Sequence, residues 1–366
     1  MNKKLGKTLV GIAAVAGLVF TGSAAEATDI AGSGSSFAYN GIYKCASLYD
    51  SHNVTYTSTG SGTGRTNFRT NQASYAYAVS DGLYTAGTEP SGYNMVPLFG
   101  GPIVFAYNKS SGIPSGLKLD AATISGILKG TITKWNATQI KKLNAGKTLP
   151  NLAIKVYYRT GTSGTNGNLS EYLRQTVSST GWAANQDIKV ADQTGDLAPT
   201  AVGKATSALL ADAIESSANK GAFGYFDLSD AKTANVYLAS LKNKHGEFVA
   251  PSAAAGALML NAQTTDNSGS DRVQGTATAV LSSALGGSVN GAINFTKSVK
   301  NAYQLTILTY GVADNASSDA KDVAVEAFFK FVINTCMPAQ ASRLGYVALT
   351  GTMKTKAIAQ AERISQ

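Results

Sequence analysis

The sequence predicts an α/β protein of two lobes joined by two crossing strands around a cleft. Three observations carry this. From Asp29 onward the chain repeats a unit of strand, small-residue loop and helix, which places loops at the carboxyl ends of strands, where α/β folds hold ligands. Its 366 residues, 44% of them hydrophobic, suffice for two cores rather than one. Two β-rich runs far apart, 95–108 with a Gly-Gly-Pro break and 302–311, suit an outward and a return crossing.

The opening segment reads as an export signal. Lys3, Lys4 and Lys7 precede an apolar run from Leu9 to Phe20, and Ala25-Glu26-Ala27 has the form of a cleavage site. The run is too short to span a membrane, and no cysteine stands nearby to take a lipid. Residues 1–27 are therefore expected to be removed, leaving an exported, soluble protein, periplasmic or secreted and not lipid-anchored. Loss of three lysines and Glu26 lowers the formal charge from +9 to +7. The remaining basic residues are scattered, with no like-charge block and no aromatic-interleaved basic helix, so nucleic acid is not expected as a partner.

The elements follow in order. Asp29–Phe37 reads as a strand ending in AGSGSSF. A helix over YNGIYKCASLYD follows, with Ile42, Cys45, Leu48 and Tyr49 at helical spacing. The strand NVTYTST runs into the loop GSGTGRTNF, and YAVSDGLYT sets Asp81 behind another apolar strand. Residues 117–146 read as two helices around a turn at Lys129-Gly130. AIKVYYR delivers Arg159 to the loop RTGTSGTNGN, 221–229 is a Gly-punctuated strand, and 322–336 an amphipathic helix. The expected division puts 28–104 with 306–366 in one lobe and 105–305 in the other. Cys45 and Cys336 are the two cysteines of an exported chain, so a disulfide is expected, with two unpaired buried thiols as the alternative.

The loop at 159–168 has the chemistry of an anion site. A strand, a small-residue loop and a helix start leave backbone N–H groups unpartnered at the positive end of a helix dipole. Ser163 and Thr165 add hydroxyls, and Arg159 offers a planar fork matched to a tetrahedral oxyanion. Catalytic machinery is not evident. His52 and His245 read as solvated surface residues, no G-x-S-x-G elbow is present, no metal-ligand spacing occurs, and GSGTGRT lacks the lysine of a P-loop. No catalytic residue, metal or cofactor is expected.

Six segments, in order, resemble the signatures of the periplasmic phosphate-binding proteins of ABC phosphate importers, the PstS family. They are GSGSSF (32–37), YTSTGSGTG (56–64), AVSDGL (78–83), GILKGTITKWN (126–136), RTGTSGTNGN (159–168) and GAFGYF (221–226). The resemblance implies a type II periplasmic-binding-protein fold acting as a monomer, inorganic phosphate as ligand and a membrane permease as partner. It implies that Ser36, Phe37 N–H and Ser61 donate to phosphate from one lobe, and that Arg159, Ser163, Gly164 and Thr165 close from the other. Asp81 would accept the proton of hydrogen phosphate. Sulfate has no such proton, and a buried acceptor left unpaired costs about 1–3 kcal/mol, so the carboxylate rejects it. One departure stands out: the family's acid two residues after the arginine is Gly161 here. Arg65, just past the second loop, reads as a solvated residue of the first helical turn, with added positive charge near the site as the alternative. The competing readings are a phosphatase-like extracellular phosphate-binding protein, a receptor for sulfate, molybdate or arsenate, and a surface adhesion protein.

Overall fold

The computed structural model describes residues 27–84, 90, 92–178, 180–195, 197–263, 293–315 and 317–365. The expected export signal therefore lies outside the described residues, save Ala27.

The first half of the chain alternates strand and helix: β1 (Asp29–Gly34), α1 (Tyr39–Ala46), β2 (Asn53–Ser58), α2 (Ser61–Thr70) and β3 (Tyr77–Ser80). The long β4 (Tyr93–Asn108) follows, buried along its whole length. Then come β5 (Lys118–Leu119), α3 (Ala121–Leu128), α4 (Thr138–Leu143), β6 (Lys155–Arg159), α5 (Gly164–Thr176), α6 (Ile188–Ala191) and β7 (Val202–Lys204). After these run α7 (Ser207–Glu215), β8 (Ala222–Asp227), α8 (Leu228–Thr233), β9 (Val236–Leu238), β10 (Ser240–Lys242), β11 (Phe248–Val249) and α9 (Ala253–Asn261). The chain closes with β12 (Thr306–Asp314), α10 (Ala320–Phe331), α11 (Met337–Leu344), β13 (Val347–Ala348) and α12 (Gly351–Ala361).

One continuous sheet runs β2-β1-β3-β12-β4-β8-β6-β7. Strands β1, β2 and β3 pair in parallel, as do β6, β7 and β8, each set joined by helices in the right α/β manner. Strand β4 links the two sets. Tyr93–Pro102 pairs antiparallel with β12, and Ile103–Tyr107 pairs antiparallel with β8. Pro102, which has no N–H, stands where β4 changes partner, and Ile103 N–H reaches Leu305 O at 3.0 Å. A 16-residue strand buried on both faces, with Val, Leu, Phe, Ile and Tyr among its residues, is what the near-continuous apolar run 95–108 requires.

The amphipathic run at 322–336 is longer than a single helix. α10 gives way at Val332–Cys336 to a π-turn before α11, whose first turn contains Pro338. Proline cannot donate to the preceding turn, so the widened turn absorbs the missing bond. Cys336 lies there and forms a disulfide with Cys45 of α1, Cα–Cα 5.6 Å. The helix predicted over 39–50 ends at Ala46; Tyr49 beyond it packs on the rings of Phe328 and Phe331.

Candidate functional site

Four helix N-termini point into one region between the two halves of the sheet. Ser36 and Phe37 precede α1, Ser61 opens α2, Ser163 caps α5, and Ser207 opens α7. Each N-terminus leaves backbone N–H groups without intrahelical acceptors and carries partial positive charge. Ser36, Ser61, Asp81, Arg159, Ser163 and Thr165 are all at least nine-tenths buried, and Phe37 is fully buried beneath Tyr346, whose hydroxyl donates to Phe37 O at 2.6 Å.

Asp81 sits in a nest of hydroxyls. Ser35 Oγ lies 2.7 and 2.6 Å from its two carboxylate oxygens, Thr309 Oγ1 donates to Oδ1 at 2.7 Å, and Ser61 Oγ reaches Oδ2 at 3.2 Å. Burial pushes the Asp81 carboxyl up, and these three hydroxyls and Arg159 pull against that shift. Across the cleft, Asn168 Nδ2 donates to Asp81 O at 2.7 Å, and Gly62 N–H donates to Thr162 O at 2.8 Å.

Arg159 arrives at the end of β6. Its Nη1 donates to Ser36 Oγ at 2.5 Å and Ser207 Oγ at 3.2 Å, and Nη2 donates to Ala205 O at 2.7 Å. Its Nε has no partner among the described residues, and neither does Thr165 Oγ1. Burial pulls the guanidinium below its ordinary range, while Tyr225, Asp81, Asp227 and Asp230 hold it up. Behind Ser207 stands an acid pair, Asp227 fully buried and Asp230 partly so. Asp227 is pushed well up by burial and by Asp230, which is itself raised and accepts from Asn40 Nδ2 at 2.7 Å.

The α5 N-terminus is pressed against the Asp81 loop. A Cβ on Gly164 would stand 2.7 Å from both Asp81 Cβ and Ser61 Oγ, so only glycine lets the helix approach this closely. Ser163 Oγ accepts from Asn166 N–H at 3.4 Å, and Ser163 N–H is spent on Gly161 O and Gln186 O. Gly161, where an acid was expected by resemblance, has φ +68°, a conformation that side chains rarely adopt. Arg159 is held instead by Ser36, Ser207 and Ala205 O.

Three partners escaped the sequence reading. Ser35 stands beside Ser36 in a run of small residues, and no local signal distinguishes the two. Ser207 and Thr309 are single hydroxyls on a helix start and a strand, without local signal. Arg65 corrects an expectation outright. It is buried rather than solvated, donating to Ser80 Oγ at 2.6 Å and Gly82 O at 3.0 Å, with its guanidinium pulled down by burial to about 10. The histidines stand apart from the cleft: His52 Nδ1 accepts from Thr28 N–H, and His245 is exposed beside Ser298.

The profile of the PBP superfamily domain matches residues 21–335. The chain belongs to the PBP superfamily. Among curated PBP-type relatives, the phosphate-binding protein PstS of Pasteurella multocida is 33% identical over 233 residues, covering 62% of this chain and 64% of that protein. The chain thus aligns with under two thirds of that relative's length. The crystal structure of the ancestral soluble variant of the human phosphate binding protein superposes with a TM-score of 0.74 at 20% identity, covering 90% of this chain and 93% of that one. A putative phosphate ABC transporter substrate-binding protein from Clostridium perfringens, with bound phosphate, superposes with a TM-score of 0.56 at 14% identity, covering 88% and 100%. The two-lobed α/β architecture of this PBP chain is thereby established.

Proposed function

We propose that this chain captures inorganic phosphate in the interlobe cleft and delivers it to the membrane permease of an ABC importer. The observation that carries the reading is a buried arginine with an unpartnered Nε, and a buried threonine hydroxyl without a partner, beside a hydroxyl-clad carboxylate. A buried polar group without a partner costs about 1–3 kcal/mol, and a tetrahedral oxyanion supplies the acceptors these donors lack. Asp81 then accepts the phosphate proton, Ser36, Ser61 and Thr165 donate hydroxyls, and the N–H groups of Phe37 and Gly164 face the anion at helix starts. Ser163 contributes its hydroxyl proton, because its N–H is already engaged.

The chain binds without catalysing in this reading. Its curated relative is named as a binding protein. We further propose that the two lobes comprise 28–104 with 306–366 and 105–305. The partner change of β4 at Pro102–Ile103 supports the first boundary. Helix α9 packs at this border, where a Cβ on Gly256 would touch Pro102, Thr306 and Val347 at 3.2 Å. The protein works as an exported monomer, periplasmic or secreted, not lipid-anchored, and without nucleic acid. No helix among the described residues is long and apolar enough to cross a membrane. Calorimetric titration of the purified chain with phosphate, sulfate and arsenate tests the proposal; preference for sulfate, or no heat with any of them, overturns it.

A further inference from the structure

We infer that Arg65 and Gln186 form a latch that holds the cleft closed and positions both jaws of the phosphate clamp; this rests on the phosphate-capture reading. Arg65, on α2, grips the Asp81 loop from behind: its Nη1 donates to Ser80 Oγ and Gly82 O, the residues on either side of Asp81. Its Nη2 crosses the cleft to Gln186 Oε1 at 2.8 Å. Gln186 returns the contact, its Nε2 donating to Leu83 O at 3.3 Å.

The other end of Gln186 is fixed to the opposite jaw. Its backbone oxygen accepts from Ser163 N–H at 3.0 Å and from Asn166 Nδ2 at 3.1 Å, so it holds the N-cap of α5. Asn166 Nδ2 also donates to Arg159 O at 2.8 Å. Two residues thus connect the loop of the acceptor carboxylate to the loop of the clamp arginine. Both are buried, at 5% and 4% exposure, so the charge-assisted bond between them is shielded from water. Neither has an atom assigned to phosphate; they act through Asp81 and Ser163. A planar fork is needed, since one ammonium cannot keep the in-lobe and cross-cleft bonds in the same geometry.

A latch made only in the closed state slows release and leaves capture unchanged. The test is stopped-flow phosphate binding to the full chain as wild type, Gln186→Ala, Arg65→Lys and the double variant. Gln186→Ala leaves the in-lobe bonds of Arg65 intact, which guards against a folding defect. Expected are a koff raised about tenfold in Gln186→Ala, an unchanged kon, and no further rise in the double variant relative to Arg65→Lys. Multiplying effects, or a change confined to kon, overturn the latch while leaving phosphate capture standing. If wild type binds no oxyanion, capture fails by itself. The latch is then read from interlobe distances in spin-labelled ligand-free protein, where identical distances in wild type and Gln186→Ala overturn it and a widened cleft in Gln186→Ala supports it.

Discussion

Arg159 Nη1 donates to Ser36 Oγ at 2.5 Å, joining residues 123 apart in sequence across the cleft. The arginine at the end of β6 therefore meets the loop before α1 without any acid at position 161. Ser207 and Ala205 O complete its orientation. Because three fixed acceptors preorganise the guanidinium, Arg159→Ala removes a well-aimed charge-assisted donor, of the kind that contributes about 1.5–3 kcal/mol. Titration should register a loss of roughly tenfold to hundredfold for phosphate and sulfate alike. An unaltered affinity would remove Arg159 from the site.

Asp81→Asn separates selectivity from bulk charge. If the net charge of +7 left after loss of residues 1–27 attracted anions indiscriminately, removing a carboxylate would strengthen phosphate and sulfate equally. With Asp81 as proton acceptor, phosphate weakens or stays level while sulfate improves relative to it. Parallel titrations at fixed salt decide between these, and equal gains for both anions refute the acceptor role.

Gly164→Ala tests closure directly. The added methyl meets Asp81 Cβ at 2.7 Å, a contact that neither backbone can relieve cheaply. Overpacking of this kind costs about 1–3 kcal/mol, which becomes a tenfold to hundredfold loss of phosphate affinity when the strain falls on the closed state alone. Thermal stability of the ligand-free variant should stay close to wild type. Wild-type affinity in Gly164→Ala would mean that the cleft closes elsewhere.

The acid pair Asp227–Asp230 makes stability depend on pH with a defined sign. Both carboxyls are raised in the folded state, so above the ordinary carboxylate range the folded chain binds more protons than the unfolded one. Stability therefore falls as pH rises through that window, by at most about 1.4 kcal/mol per pH unit for one proton. Asp227→Asn keeps an acceptor for the Asp230 N–H, 2.8 Å away, and removes the titration of Asp227 while leaving that of Asp230. Urea unfolding of ligand-free protein at pH values rising from the ordinary carboxylate range should give a flatter profile for the variant; parallel profiles contradict this.

The Cys45–Cys336 disulfide closes a loop with a sequence separation of 291. Replacing both cysteines by alanine should lower stability by about 2–5 kcal/mol, with phosphate affinity little changed, since neither cysteine is among the residues assigned to phosphate. Alkylation without reductant gives the direct check. Labelling of both thiols in native-source protein would show that they are unpaired.

The features legible in the chain are local ones. Strand, small-residue loop and helix start are short-range patterns, so the α/β class, the long crossing strand and the anion-binding character of 159–168 were all legible in the chain. Arg159 stands out because it ends such a unit and Asp81 because it follows an apolar strand, whereas Ser36 and Ser61 are implied by the family resemblance. The tertiary structure decided what meets across the cleft. Thr309 donates to Asp81 from 228 residues away, and Ser207 N–H reaches Ser36 from 171 residues away. Arg65 looked solvated because helical spacing alone does not reveal that the Asp81 loop and Gln186 cover it. Hydroxyls and arginines carry no periodic signal; their role comes from which buried acceptor lies within 3 Å, and only the packing of the two lobes sets that.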